Sequence, residues 1–130
     1  MTQKNINTMN EIVDRMIEGQ TIAQALQSVY TTRNVCVPYD ADKIKNVPVQ
    51  SLKMSCRTTN ALLRNRLRTL GDVINYCQQS KITDVPTLGK GSGIEIFETI
   101  LNYCWAHMTK QDREEFLIDT VERNSRNLRA

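Results

Sequence analysis

The sequence predicts an all-α protein built from several short helices, and three observations support this fold class. Apolar residues such as Ile12 and Met16 recur at helical spacing. Good helix-capping residues, including Ser55 and Thr109, stand just before such segments. The only β-leaning run, residues 35–39, is too short to make a sheet alone. At 130 residues, with 40% hydrophobic and 5% aromatic residues, the protein can form a compact, mostly aliphatic core.

The first segment, residues 1–46, is predicted to form a helical hairpin followed by a connector. Thr8 with Glu11 matches a capping box for the first helix, and Thr21 with Gln24 can open the second. The outward positions of the second helix carry no charge, which argues against a DNA-reading helix-turn-helix. We therefore expect this hairpin to pack on the rest of the protein or to dimerise.

The remaining sequence divides into a middle module, residues 47–108, and a C-terminal helix within residues 109–130. In the middle module Ser55 is a good N-cap for a helix over residues 56–64. Thr109 caps the C-terminal helix, whose last residues are expected to fray.

The net charge of +3 is concentrated in the middle module. Residues 47–108 hold seven basic and four acidic residues, whereas the two flanking segments are each balanced. The stretch between residues 50 and 71 contains no acid, and its basic residues are Lys53, Arg57, Arg64, Arg66 and Arg68. Such a patch attracts a polyanion, although an ordinary solvated helix face is the simpler alternative.

Three polar residues of this patch are candidates for contacting DNA. Arg57, Asn60 and Arg64 have helical spacing and, with Arg68, would form one polar ridge on a continuous helix. If the helix ends near Asn65 instead, Arg66 and Arg68 lie on the following connector. A guanidinium beside an amide suits the minor groove, because arginine enters narrow A·T-rich grooves where negative potential is focused.

A glycine-rich turn, residues 88–93, follows about thirty residues later and has the hydrophobic-Gly-x-Gly form of a helix-hairpin-helix element. Gly89 would let the backbone approach a phosphate, and free N–H groups of the next helix would bind it. Lys90 and the Ser92 hydroxyl would assist. The spacing is not that of a P-loop, and simple turn formation would explain the turn if it stood alone.

Together the two segments resemble the C-terminal domain of the bacterial RNA polymerase α subunit over about residues 47–103. The residues that carry the resemblance are Pro48, Val49, Leu52, Ser55, Arg57, Asn60, Leu62, Gly71, Asp72, Leu88, Gly89, Lys90, Ser92, Glu95 and Ile96. The resemblance implies a small all-helical module that binds the minor groove of A·T-rich double-stranded promoter DNA. It also implies contacts with RNA polymerase, σ factor or a transcription regulator.

By the same resemblance, Arg57 would insert into the groove with support from Asn60. Gly89, Ser92 and Lys90 would hold the phosphate backbone, and Glu95 would orient basic side chains. The sequence departs from the family pattern where Gly91 stands in place of a second lysine, so one phosphate contact would be lost. The arginines at positions 64, 66 and 68 would compensate electrostatically.

The leading hypothesis is therefore a DNA-binding, transcription-associated protein, with a homodimer through residues 1–30 as a further expectation. The alternative is a protein–protein adaptor that binds RNA polymerase, σ factor or a regulator without needing DNA. The sequence lacks the large assembly domain of the α subunit, so we expect a small separate bacterial or phage regulator.

Other functional classes find little support in the composition. His107 is the single histidine and no carboxylate pair has catalytic spacing, so an enzyme is not expected. The four cysteines lie far apart without a CxxC pair, so neither a metal nor a cofactor is expected. No apolar run is long enough for a membrane span and no signal peptide is evident, which favours the cytoplasm.

Overall fold

The computed structural model of the protein describes residues 1–31, 35, 37–79, 82, 85 and 88–129. Within these residues the protein is all-helical, which confirms the predicted fold class. The described helices are α1 (Gln3–Ile17), α2 (Ile22–Val29), α3 (Ala41–Ile44), α4 (Cys56–Arg64), α5 (Leu70–Gln79), α6 (Lys90–Ala106) and α7 (Lys110–Arg123), with a 3-10 turn at Val49–Ser51. No helix in this described part combines the length and apolar character needed to cross a membrane.

Contacts divide the protein into two compact units. The first unit comprises Met1–Tyr39 and Leu101–Ala130, and the second comprises Asp40–Ile100. The two ends of the sequence thus share one unit, and helix α6 contributes residues to both. The organisation into the segments 1–46, 47–108 and 109–130 stays a prediction.

In the first unit, α1 begins earlier than the sequence predicted. Thr2 is its N-cap and accepts a hydrogen bond from the Asn5 N–H at 3.2 Å. The predicted start at Thr8 is wrong, because Thr8 lies inside the helix and donates its hydroxyl to the Lys4 carbonyl at 3.0 Å. The apolar spacing continues on both sides of Thr8, so it could not distinguish the two threonines as caps.

The predicted hairpin of α1 and α2 is confirmed. Gly19 adopts a φ of +110° in the turn between the helices, a conformation that favours glycine. The predicted capping box then opens α2: Thr21 Oγ1 accepts from the Gln24 N–H at 3.1 Å, and Gln24 Oε1 accepts from the Thr21 N–H at 3.0 Å. Helix α1 packs against α2 and also against α7.

The C-terminal residues are fixed to the end of α2, so the expected fraying is wrong for residues 127–129. Leu128 forms an isolated antiparallel bridge with Tyr30, and the Arg129 N–H donates to the Val29 carbonyl at 2.9 Å. Arg129 Nε also donates to the carbonyls of Gln27 and Tyr30, at 2.8 and 3.0 Å. These bonds satisfy carbonyl groups that a helix end leaves unpaired.

In the second unit, backbone hydrogen bonds connect the segment before α4 with the segment after it. The 3-10 turn before α4 is bridged to the segment before α5, with Val49 N–H donating to the Arg68 carbonyl and Leu70 N–H donating to the Val47 carbonyl, both at 2.9 Å. Gly71 allows α5 to approach α3 closely. The unit encloses an aliphatic core that includes Val49, Leu62, Leu70, Val73, Val85, Leu88 and Ile96.

Candidate nucleic-acid interface

Helix α4 spans the residues that the sequence predicted, and Ser55 caps it as expected. The Ser55 Oγ accepts a hydrogen bond from the Thr58 N–H at 3.3 Å. The first turn of α4 contains no acidic residue to complement the positive end of the helix dipole. Glu95 of α6 supplies that negative charge from a distant part of the sequence, because its carboxylate accepts from the Ser55 N–H at 3.2 Å and lies 3.0 Å from Ser55 Oγ.

Thr58 extends this connection between α4 and α6. Its side chain is almost fully buried, and its hydroxyl donates to Ser92 Oγ at 3.1 Å. The pKa of Glu95 lies below its ordinary value, chiefly because Thr58 hydrogen-bonds to the carboxylate. Partial burial opposes this shift, and hydrogen bonds from the side chain and backbone of Ser55 add to it. The start of α4 is thereby tied to the first turns of α6.

An open cleft of about 320 Å³ lies where these two helix starts meet. The residues that line it are Ser55, Arg57, Thr58, Gly89, Gly91, Ser92 and Glu95. The structure therefore brings together four of the predicted DNA-contacting residues from two distant segments. Asn60 and Arg64 are exposed further along α4 and do not line this cleft. The side chain of Lys90 lies outside the part of the protein that the structure describes.

Arg57 is the only strongly cationic group among the described residues that line the cleft. It is exposed, and within the described residues its guanidinium has no hydrogen bond or ion pair. A positive charge in the first turn of a helix is disfavoured by the helix dipole. The helix dipole therefore does not favour Arg57 at this place. The Glu95 carboxylate in the same cleft is hydrogen-bonded to Ser55, so the charge of Arg57 is available to a bound anion.

The glycines opposite Arg57 are not required by the fold. A Cβ atom added at Gly89 or at Gly91 would meet nothing within 4 Å, and neither glycine has a positive φ. Gly71 differs, because a Cβ there would lie 2.8 Å from Lys45 backbone atoms. The absence of side chains at positions 89 and 91 instead leaves the start of α6 open, where the first helical N–H groups lack intrahelical acceptors.

Thr58 is the site residue that sequence reasoning missed. The signal was present, because Thr58 is a polar residue on the same helix side as the buried Ala61 and Leu62. A buried hydroxyl needs a partner, which pointed to a second polar group from another element. The contacts found for Glu95 are with Ser55 and Thr58, and its predicted role in orienting basic side chains stays a prediction.

An all-helical unit with an exposed arginine beside an open glycine-rich helix start has the features of a phosphate-binding module. Comparison with known families agrees with this class. Residues 39–102, just under half of the sequence, match the family model of the C-terminal domain of the bacterial RNA polymerase alpha chain. This match confirms the resemblance and defines the segment as similar to a transcription-associated, DNA-binding domain that is itself non-catalytic.

Curated relatives support the same assignment. The protein is 32% identical over 57 residues to the DNA-directed RNA polymerase subunit alpha of Trieres chinensis, and 29% identical over 59 residues to that of Cyanophora paradoxa. These matches cover 44% and 45% of this sequence but 18% of each relative. The matched segment thus spans about a fifth of the length of these curated relatives. No solved structure matches it.

Proposed function

We propose that the second unit binds A·T-rich double-stranded DNA, with Arg57 entering the minor groove. The observation that carries this proposal is the cleft in which the unpaired Arg57 guanidinium lies beside the open start of α6. Arginine is attracted to narrow A·T-rich grooves by their focused negative potential. The free N–H groups of α6 and the Ser92 hydroxyl would bind a flanking phosphate.

The other predicted residues would extend this contact. Asn60 and Arg64 follow Arg57 by about one and two helical turns and are exposed, so they would meet the groove edge and the adjacent backbone. Lys90 would add charge beside the phosphate. Because so few cations take part, affinity in the absence of sequence preference should lie around 10⁻⁴–10⁻⁶ M. It should fall as the salt concentration rises, since each phosphate contact releases counterions.

The test is fluorescence anisotropy with A·T-tract and G·C-rich duplexes of equal length over a series of salt concentrations. Arg57→Ala should abolish the A·T preference and lower affinity for the A·T duplex by about tenfold. Arg126→Ala is the matched control, because it removes an exposed arginine of the first unit that lies outside the cleft. Absence of binding by the wild type, or an unchanged A·T preference in Arg57→Ala, would refute the proposal.

A second candidate function is a protein–protein adaptor that binds RNA polymerase, σ factor or a transcription regulator. Gly91, where the related domain has a second lysine, favours this candidate because it removes one cation from the cleft. Sedimentation with purified polymerase, with and without promoter DNA, distinguishes the two functions. Binding that is independent of DNA and unaffected by Arg57→Ala would favour the adaptor.

A homodimer through residues 1–30 would strengthen DNA binding by raising the effective concentration of the second module. Ile17, at the end of α1, supports this proposal because it is 77% exposed despite being apolar. Sedimentation equilibrium should show a dimer that Ile17→Glu weakens. A wild-type monomer at all accessible concentrations would exclude it.

A further inference from the structure

Arg66, directly after α4, has an unusual backbone conformation. Its φ is +64°, and among the described residues it is the only non-glycine residue with a positive φ. Helix α4 ends there in a Schellman motif, with Leu67 N–H donating to the Leu62 carbonyl at 2.9 Å and Arg66 N–H donating to the Leu63 carbonyl at 3.1 Å. Glycine is the residue usually found at this position, because a Cβ atom disfavours the left-handed conformation.

The charge of Arg66 has no stabilising partner that would explain its presence. Its side chain is exposed, and it has no hydrogen bond or ion pair with any other described residue. Asp72 is the only acid between residues 50 and 79, and its carboxylate accepts the backbone N–H groups of Arg68 and Thr69 at 3.0 and 3.2 Å. Arg66 therefore stands in an acid-free, basic stretch, where like charges repel.

We infer that Arg66 binds a DNA phosphate and extends the interface from the start of α4 to its end. This inference rests on the proposed function. Arg66 stands nine positions after Arg57, which corresponds to about 13 Å along the axis of α4 when the helical rise is continued through its C-terminal turn. A strand of duplex DNA advances 3.4 Å per nucleotide, so that span covers about four nucleotides. Arg66 follows the C-cap Asn65 in a left-handed conformation, so its side chain is not confined to the helix side opposite Arg57. It would meet the backbone several nucleotides from the groove that Arg57 enters.

The position of Arg66 allows binding to be separated from folding. In Arg66→Gly the charge is removed while the left-handed conformation becomes favourable, so the melting temperature should stay the same or rise. DNA affinity should fall by about three- to tenfold on A·T-tract and G·C-rich duplexes alike, because a phosphate contact is independent of sequence. The slope of log affinity against log salt should become shallower by about one. Arg66→Lys, which keeps the charge, should retain the wild-type slope.

The control is again Arg126→Ala, which removes one positive charge from the other unit. Wild-type salt dependence in Arg66→Gly, with the Arg57→Ala effect intact, would overturn the role of Arg66 and leave the proposed function standing. An affinity loss that accompanies a loss of stability would overturn it as well. A wild type that binds neither duplex would refute the proposed function, and this inference with it.

Discussion

The connection between Glu95 and Ser55 should measurably stabilise the second unit. Glu95 replaces the acidic residue that α4 lacks in its first turn, and its contacts are at 3.2 Å to the Ser55 N–H and 3.0 Å to Ser55 Oγ. Hydrogen bonds to charged groups contribute about 1.5–3 kcal/mol when buried. Because this carboxylate is only partly buried, we expect Glu95→Gln to lower the free energy of unfolding by about 1 kcal/mol.

A double-mutant cycle tests whether the two residues act together. Ser55→Ala removes the N-cap and should cost about 1 kcal/mol alone. The double variant should lose less than the sum, with a coupling of about 0.5 kcal/mol or more. Urea denaturation followed by far-UV circular dichroism gives the free energies, and fluorescence of the single tryptophan, Trp105, reports separately on the first unit. Additivity within about 0.3 kcal/mol would refute the reasoning.

The pH dependence gives an independent check. The pKa of Glu95 is lowered in the folded protein, so its contribution is present above the ordinary pKa and is lost as pH falls through the folded value. The stability difference between wild type and Glu95→Gln should therefore shrink as pH decreases from about 5 to about 3. A difference that stays constant over this range would show that the carboxylate charge is not involved.

Three further substitutions have defined outcomes. Gly71→Ala places a Cβ 2.8 Å from the Lys45 backbone and should cost about 1–3 kcal/mol in urea denaturation, whereas Gly91→Ala, with open space around it, should cost nothing. Gly91→Lys should raise DNA affinity and steepen the salt slope by about one, and an unchanged slope would count against a phosphate at the start of α6. Arg129→Ala removes bonds of 2.8 and 3.0 Å to carbonyls at the end of α2 and should destabilise the first unit by about 1–2 kcal/mol. Urea denaturation followed by Trp105 fluorescence measures this loss. An unchanged midpoint would mean that the C-terminal residues contribute little to the stability of the first unit.

Local features of the structure were predictable because capping acts within a single helical turn. Thr21, Ser55 and Thr109 each accept the N–H three residues ahead, which is the geometry that their residue types predict. The same logic failed at the first helix, where Thr2 and Thr8 both precede apolar residues at helical spacing. A pattern that extends over both candidates does not say where the helix begins.

Contacts between distant segments could not be predicted in this way. Glu95 and Ser55 are forty residues apart, and Arg129 lies about a hundred residues from the carbonyls that it binds. Helical periodicity shows which side of a helix is buried, but it does not show which element covers that side. The resemblance indicated that Arg57 and Gly89 belong to one module, yet the buried Thr58 that connects their helices came from the structure alone.

Two exposed arginines of the first unit have acidic partners within their own helices. In the first unit, Arg15 pairs with Glu11 at 3.1 Å and Arg123 pairs with Asp119 at 2.7 Å, each one helical turn apart. Such pairs stabilise isolated helices by about 0.2–0.5 kcal/mol and need no external ligand. Helix α4 contains no acidic residue, so Arg57 has no such ion pair within its own helix.

Several residues of the second unit are poor choices for folding alone. Arg57 places a cation at the positive end of α4, Arg66 adopts a conformation suited to glycine, and Gly89 and Gly91 fill no steric need. Natural sequences mostly agree with their fold at every level, and conflicts concentrate where function requires them. A polyanion would neutralise both cations together and would fill the space beside the glycines. An adaptor that binds a neutral protein surface would compensate none of the charge, and this difference makes the salt dependence of binding the decisive observation.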